Sequence, residues 1–282
     1  NIASQDTINK NIDRVIGHIT DESTALAAKK GLDLSTVYTA SNHVLDLTNS
    51  MYKNKTVYID LTGSDANTND ILDSITRADQ LNIKKYSSTV VVFNMPAVNA
   101  YTWDGGVKTP KNIEITKYTV QVWDGSSLGD KITSGDQGNS GNDSPHNRDI
   151  DNEICQKVIW NMPTATDVYI NNTAGTFLVP TTTAHVDVNT SAGWVATGGF
   201  LENSGEWHYI YHGRSKDVNE GEGIGQMHFA ARKTFTDSYS TVKEDTTISA
   251  KEGEYKFNLY KTNSDYNIAT GEVIGTAQND AQ

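Results

Sequence analysis

Between residues 157 and 213 the chain breaks into six short apolar segments, each closed by a turn residue. They read KVIWNMP (157–163), DVYIN (167–171), GTFLVP (175–180), AHVDVN (184–189), GWVATG (193–198) and EWHYIYHG (206–213), most starting about eight to ten residues apart. Evenly spaced short strands with Gly, Asn, Pro or Thr at the corners restrict the fold to a sandwich, a barrel or a β-solenoid. Several corners hold only two or three residues, too few to cross between the sheets of a sandwich. Stacked coils fit better. The expected class is therefore mainly β, with a β-solenoid or parallel β-helix-like body.

Upstream, the first forty residues read as helix. Ile8, Ile12, Val15, Ile16 and Ile19 share one face, Asp6 is placed to cap the start, and a second piece over 22–30 ends at Gly31. Such a stripe predicts an amphipathic helix packed on a sheet. The period then changes to two. TVYIDL (56–61) is a strand, and a short helix is predicted over 70–81 with Ile71, Leu72 and Ile75 inward. TVVVFNMP (89–96) has the unbroken β-branched run of a strand buried on both faces. NIEITKYTVQVWDG (112–125) predicts one bent strand or a pair. Residues 124–153 are almost free of apolar side chains and are expected to form a long surface loop.

Charge removes some functions. With 23 basic against 35 acidic residues and a net charge of -12, the chain lacks the clustered Lys and Arg that nucleic acid or an anionic membrane surface requires. No apolar run approaches the ~20 residues of a membrane span. NIASQDTINK is not a signal peptide, so any signal and anchor are expected outside this window. A single cysteine, Cys155, forms no internal disulfide. Abundant Thr, Ser, Asn, Asp and Gly suit exposed β-structure with many turns.

Residues 214–232 are rich in Gly and charge and read as a linker. The stretch 233–282 starts a new β-pattern, with Tyr255, Phe257 and Leu259 alternating before Val273 and Ile274. It is expected to be a partial β-sandwich, cut inside a second domain.

The segment 158–211 resembles the choice-of-anchor A domain of bacterial surface proteins. The matching phrases are Trp160-Asn161-Met162-Pro163, Gly175 through Pro180, Val186 through Asn189, Gly193 through Ala196, and Gly205-Glu206-Trp207-His208. The resemblance extends diffusely over 5–213. The C-terminal stretch is similar to the start of a streptococcal pilin isopeptide-linkage domain, through Gly253-Glu254-Tyr255 to Leu259 and Ala277 to Ala281. In that family a first-strand Lys forms an amide with a last-strand Asn, and Lys233 matches the Lys position. Together the resemblances imply a Gram-positive surface adhesin, extracellular and held to the cell wall by segments outside this chain.

Candidate chemistry is sparse. His208 and His212, four apart on a strand, lie roughly 13 Å apart and cannot share a zinc. His146 and His185 lack ligand-spaced neighbours. The clusters at 124–130, with Asp124 and Asp130, and at 134–143, with Asp136, are candidates for ligand binding and could hold calcium, though neither has EF-hand or nonapeptide-repeat spacing and a solvated loop is the simpler reading. No other cofactor is expected. Cys155-Gln156 is by itself a weak thioester signal, and a half-buried structural cysteine is the simpler reading. Thr181, Thr182 and Thr183 form one triplet, not the repeated array of an ice-binding face. No nucleophile elbow, phosphate loop or zinc-helix motif occurs. Tyr101 and Trp103 stand out because polar neighbours and a Gly-rich turn surround them.

Three readings follow. The favoured one is a monomeric adhesin domain that binds a matrix protein or glycan without turnover, using the 97–112 and 124–153 segments. The second is a carbohydrate-active β-helix enzyme. The third is a purely structural stalk module.

Overall fold

The computed structural model describes residues 5–136, 145–208, 256–262 and 269–278. The chain divides into two compact units, 1–219 and 220–282. The first begins with α1 (Gln5–Ala27), α2 (Leu34–Val37), β1 (Tyr38–Thr39), β2 (Val44–Leu47), β3 (Thr56–Asp60) and α3 (Ala66–Ile75). It continues through β4 (Asn82–Lys85), β5 (Val90–Asn94), β6 (Ala100–Asp104), β7 (Val107–Ile115), β8 (Thr119–Trp123), β9 (Leu128–Thr133) and α4 (Pro145–Ile150). After a π turn at Asp151–Cys155 come β10 (Val158–Asn161), β11 (Asp167–Asn171), β12 (Ala174–Val179) and β13 (His185–Asn189). The last three are β14 (Ser191–Thr197), β15 (Phe200–Asn203) and β16 (Trp207–His208).

These strands form three sheets, ordered β1-β2-β4-β8-β9, β16-β14-β12-β10-β5-β3 and β15-β13-β11-β7-β6. The chain alternates between the first and second sheets up to β5 and between the second and third from β10 onward, and each return lands beside the sheet's previous strand and parallel to it. In the first unit the antiparallel pairs among the described residues are β1–β2, β6–β7 and β8–β9, all at sheet margins. One register row of the second sheet runs Ile59, Phe93, Trp160, Phe177 and Val195. The third sheet stacks Ile113, Val168, Val186 and Leu201, and the first stacks Leu45, Ile83 and Val120. These rows supply the core, where nearly every member is fully buried. Burial of uninterrupted apolar rows is the main drive for such parallel pairing. Phe93 and Trp160 stack with centroids 4.3 Å apart, and Tyr118 meets Trp160 edge-on at 5.4 Å.

Close packing of successive strands depends on two register partners. Gly175 (φ 152°) and Gly193 (φ 107°) lie side by side on β12 and β14. A Cβ at Gly193 would fall 2.0 Å from the Gly175 carbonyl oxygen. Only glycine fits there.

Helix α1 crosses the outside of the second sheet. The Leu26 carbonyl accepts from Asn94 Nδ2 on β5 at 3.0 Å, Ser23 bonds Asn161 on β10, and Ile16 reaches Gly198 beyond β14. About three helical residues pass each strand, since three rises of about 1.5 Å match the strand spacing. Residues 5–15 therefore overhang β14. This corrects the sequence reading: one continuous helix replaces two pieces, and Asp6 lies inside it, paired with Lys10 at 2.8 Å. Only Ile16 and Ile19 of the apolar stripe are half-buried, while Ile8, Ile12 and Val15 are 40%, 50% and 52% exposed.

Other boundaries shift for physical reasons. α3 starts at residue 66 because Asp65 caps the backbone N–H groups of Asn67 and Thr68; Ile71 and Ile75 are buried as predicted. The stretch 112–125 splits into β7 and β8, which belong to different sheets. The expected 124–153 loop contains β9, α4 and the π turn, anchored by the fully buried Ile150 and Ile154. Lys85, Glu153, Lys157 and Ser87 form a buried polar knot there: Glu153 accepts from Lys85 at 2.9 Å, Lys157 at 3.1 Å and Ser87 at 2.5 Å.

In the second unit the described residues form an antiparallel pair, β17 (Lys256–Thr262) and β18 (Ala269–Gln278). Lys233 and the rest of the expected partial sandwich lie outside the described residues.

Candidate functional site: a protruding aromatic hairpin

β7 does two jobs. Its C-terminal half, with Ile113 and Ile115 buried, pairs with β11 inside the third sheet. Its N-terminal half pairs with β6 alone, and residues 101–111 are exposed on both strands. The ribbon thus leaves the body and stands in solvent. Asn99 fixes its root, donating through Nδ2 to the Glu114 carbonyl at 3.0 Å and accepting the Glu114 N–H at 2.7 Å. Gly105 (φ 53°) and Gly106 (φ 85°) form the two-residue loop between Asp104 and Val107, the geometry that matches strand twist.

Tyr101 and Trp103 project from the same ribbon face. Trp103 is 68% exposed, more than any other aromatic side chain of the described residues, and Val107 at the tip is 64% exposed. Lys108 lies over the Tyr101 ring with Nζ 3.7 Å from its centroid, a cation–π contact that fixes both side chains. Lys108, Val107 and Asn99 escaped the sequence reading. The Gly-Gly pair flanked by alternating residues was the available signal, since that pattern marks a two-residue hairpin.

The remaining candidates sit elsewhere. Asp124 terminates β8 at the margin of the first sheet. Its Oδ1 accepts from the N–H groups of Ser126 (2.6 Å) and Ser127 (2.8 Å) and from Ser126 Oγ (2.9 Å). Bonding to the Ser127 and Ser126 backbone holds its pKa down at about 2. That carboxylate builds a turn. Asp130 is exposed on β9, and Asp136 is half-buried just after it. Among the described residues no three His, Cys, Asp or Glu side chains gather around a point suited to a metal. Cys155 is fully buried, deeper than the half-buried position expected, and burial together with Asp151 pushes its thiol up to about 12. A thiolate nucleophile is therefore not available there. His185 bonds Glu202 at 2.9 Å and stacks on Phe200; His212 lies outside the described residues.

A family model described as "Putative Ice-binding-like adhesive domain" matches residues 1–209. The chain belongs to that family. The adhesive domain so defined covers all three parallel sheets, helix α1 and the protruding hairpin. No curated protein and no solved structure gave a match. Membership of an adhesive family points to binding of an external ligand and to a surface or extracellular setting. Among the described residues no helix is long and apolar enough to cross a membrane.

Proposed function

We propose that this chain is the ligand-presenting part of a cell-surface adhesin that binds a matrix protein or glycan without turnover. Its parallel sheets are read as the coils of a solenoid that holds the β6–β7 ribbon clear of the body. The observation that carries the reading is an adhesive-family match spanning a ribbon whose Trp103 faces water. An exposed tryptophan on a braced ribbon offers contact area with little further loss of conformational freedom. The resemblance to choice-of-anchor A and pilin linkage domains adds a Gram-positive cell-wall setting, with residues 233–282 as a stalk-like segment and Lys233 as a candidate cross-linking amine. Calcium remains a proposal for the β8–β9 margin.

Ice is a poorer ligand for this surface. The outward rows of the third sheet read Asp167, His185, Phe200 and Glu114, Tyr169, Asp187, Glu202, which is charged and mixed and carries no threonine ladder.

The test is binding of the purified chain to arrays of matrix proteins and glycans, beside Trp103→Ala. Binding lost in the variant at unchanged thermal stability supports the reading. Undiminished binding removes the hairpin from it, and silence of the wild-type chain across both arrays removes the adhesin assignment.

A further inference from the structure

Each of the three parallel sheets ends in two edges, and most are blunted against pairing with another chain. β1 and β16 hold two residues each. β3 is partly occupied, since the Leu32 N–H bonds the Tyr58 carbonyl at 2.8 Å. β9 carries Asp130 and Lys131, and its pairing with β8 is irregular. β15 is four residues long with Glu202 in the middle. β6 is different: five residues, Ala-Tyr-Thr-Trp-Asp, no basic residue or proline, and no further strand beside it among the described residues. An edge of that kind is a template for strand addition.

The hairpin geometry says which backbone groups are on offer. Asp104 and Val107 close the two-residue loop and exchange the turn's hydrogen bonds. Alternation then turns the N–H and C=O of Trp103 and Tyr101 away from β7. Pro110 stands opposite Tyr101, where a missing N–H costs no bond within the ribbon.

We infer that the β6 edge pairs with the β6 edge of a second copy of this chain, antiparallel and centred on Thr102. This inference concerns the ribbon's edge and goes beyond ligand contact by its side chains. The sequence around Thr102 complements itself. A two-fold axis through Thr102 sets Tyr101 opposite the partner's Trp103, and Trp103 opposite the partner's Tyr101. These are the positions with outward backbone groups, so four N–H to C=O bonds form and two aromatic pairs cross the seam on one face. Asp104 then lies opposite the partner's Ala100, which in its own hairpin neighbours the Asn112–Lys111 bulge. Lys111 is itself paired with Glu114 at 3.7 Å, so each end of the seam is close to neutral. The ribbon from 100 to 112 carries Lys108 and Lys111 against Asp104 on a chain of net charge -12, so this is a part of the surface where two copies approach without strong repulsion.

The experiment is sedimentation velocity of the full chain up to about millimolar concentration, because a seam this small belongs to the weak, transient class. The wild type should form a reversible dimer. Thr102→Lys and Thr102→Glu, which place like charges on the axis, should each be monomeric, and an equal mixture of the two should dimerise again. Thr102→Cys should oxidise to a covalent dimer at least about tenfold faster than Thr109→Cys, since axial residues of a non-hydrogen-bonded pair lie within disulfide reach. Cys155 is buried and leaves the new thiol as the reactive one. A wild type that stays monomeric, or a dimer indifferent to Thr102→Lys and not restored by mixing, overturns the inference. A monomeric wild type whose ligand binding is lost in Thr102→Lys would assign the edge to a strand from a different protein and also overturn it. Both lysine and glutamate variants keep Trp103, so ligand binding through that side chain is scored separately.

Discussion

Asn94 and Asn161 stand side by side on adjacent parallel strands, Asn161 Nδ2 donating to Asn94 Oδ1 at 2.8 Å. Both also reach helix α1: Asn161 exchanges bonds with Ser23, and Asn94 donates to the Leu26 carbonyl. Replacing Asn161 by Ala leaves the buried Ser23 and Asn94 groups without partners. The expected cost is ~2–4 kcal/mol, read as a lower denaturation midpoint. Amide exchange in α1 should accelerate in step.

Gly193→Ala tests the strand-to-strand contact. The added methyl meets the Gly175 carbonyl at a φ that side chains rarely adopt. Destabilisation of at least ~2 kcal/mol is expected, with β14 losing protection before β5 in hydrogen exchange. Equal stability of variant and parent would disprove the tight stacking described for β12 and β14.

Lys85 gives a pH signature. Burial outweighs the favourable Glu153 contact and lowers its pKa from 10.5 to about 8. Between those values the unfolded chain holds the proton and the folded chain does not. Stability contributed by this site therefore rises with pH from about 8 towards 10.5. Comparison of thermal midpoints with Lys85→Met across that range isolates it, because the variant lacks the rise.

Cys155 should resist thiol reagents under native conditions and react fully only on unfolding, given its burial and raised pKa. Rapid stoichiometric labelling of the folded chain would contradict the packing of the π turn.

Trp103→Ala should change stability by no more than about 0.5 kcal/mol, as for other surface changes, because the ring packs on little of the body. In fluorescence of the parent, acrylamide should quench Trp103, the most exposed tryptophan, and the part-exposed Trp194 ahead of the buried Trp160.

The parallel core was legible because its rows are written locally. KVIWNMP, GTFLVP and AHVDVN each carry their own period and their own corner, and the spacing of the parallel strands follows from the intervals between them. What escaped depended on distant partners. Thr116 to Tyr118 look like strand, yet Thr116 bonds the Ile75 carbonyl and Tyr118 turns inward to the Ala174 carbonyl, so the run breaks into two sheets. Ile150 and Ile154 are only two apolar residues in a polar stretch, and their burial comes from the π turn docking inside. Ile8, Ile12 and Val15 followed the helical period faithfully, but a period says nothing about where the underlying sheet stops. The aromatic ribbon was half visible: its residue types drew notice, whereas its projection follows from β7 being longer than the strand it pairs with.

Because α1 runs back across four strands, Gln5 and His208 lie towards the same pole of the first unit. A pull applied between those two points would not load the stack from end to end. It would instead strip the helix and peel the final strands one at a time, so β3 and β5, at the opposite end of the second sheet, should be the last to surrender under tension.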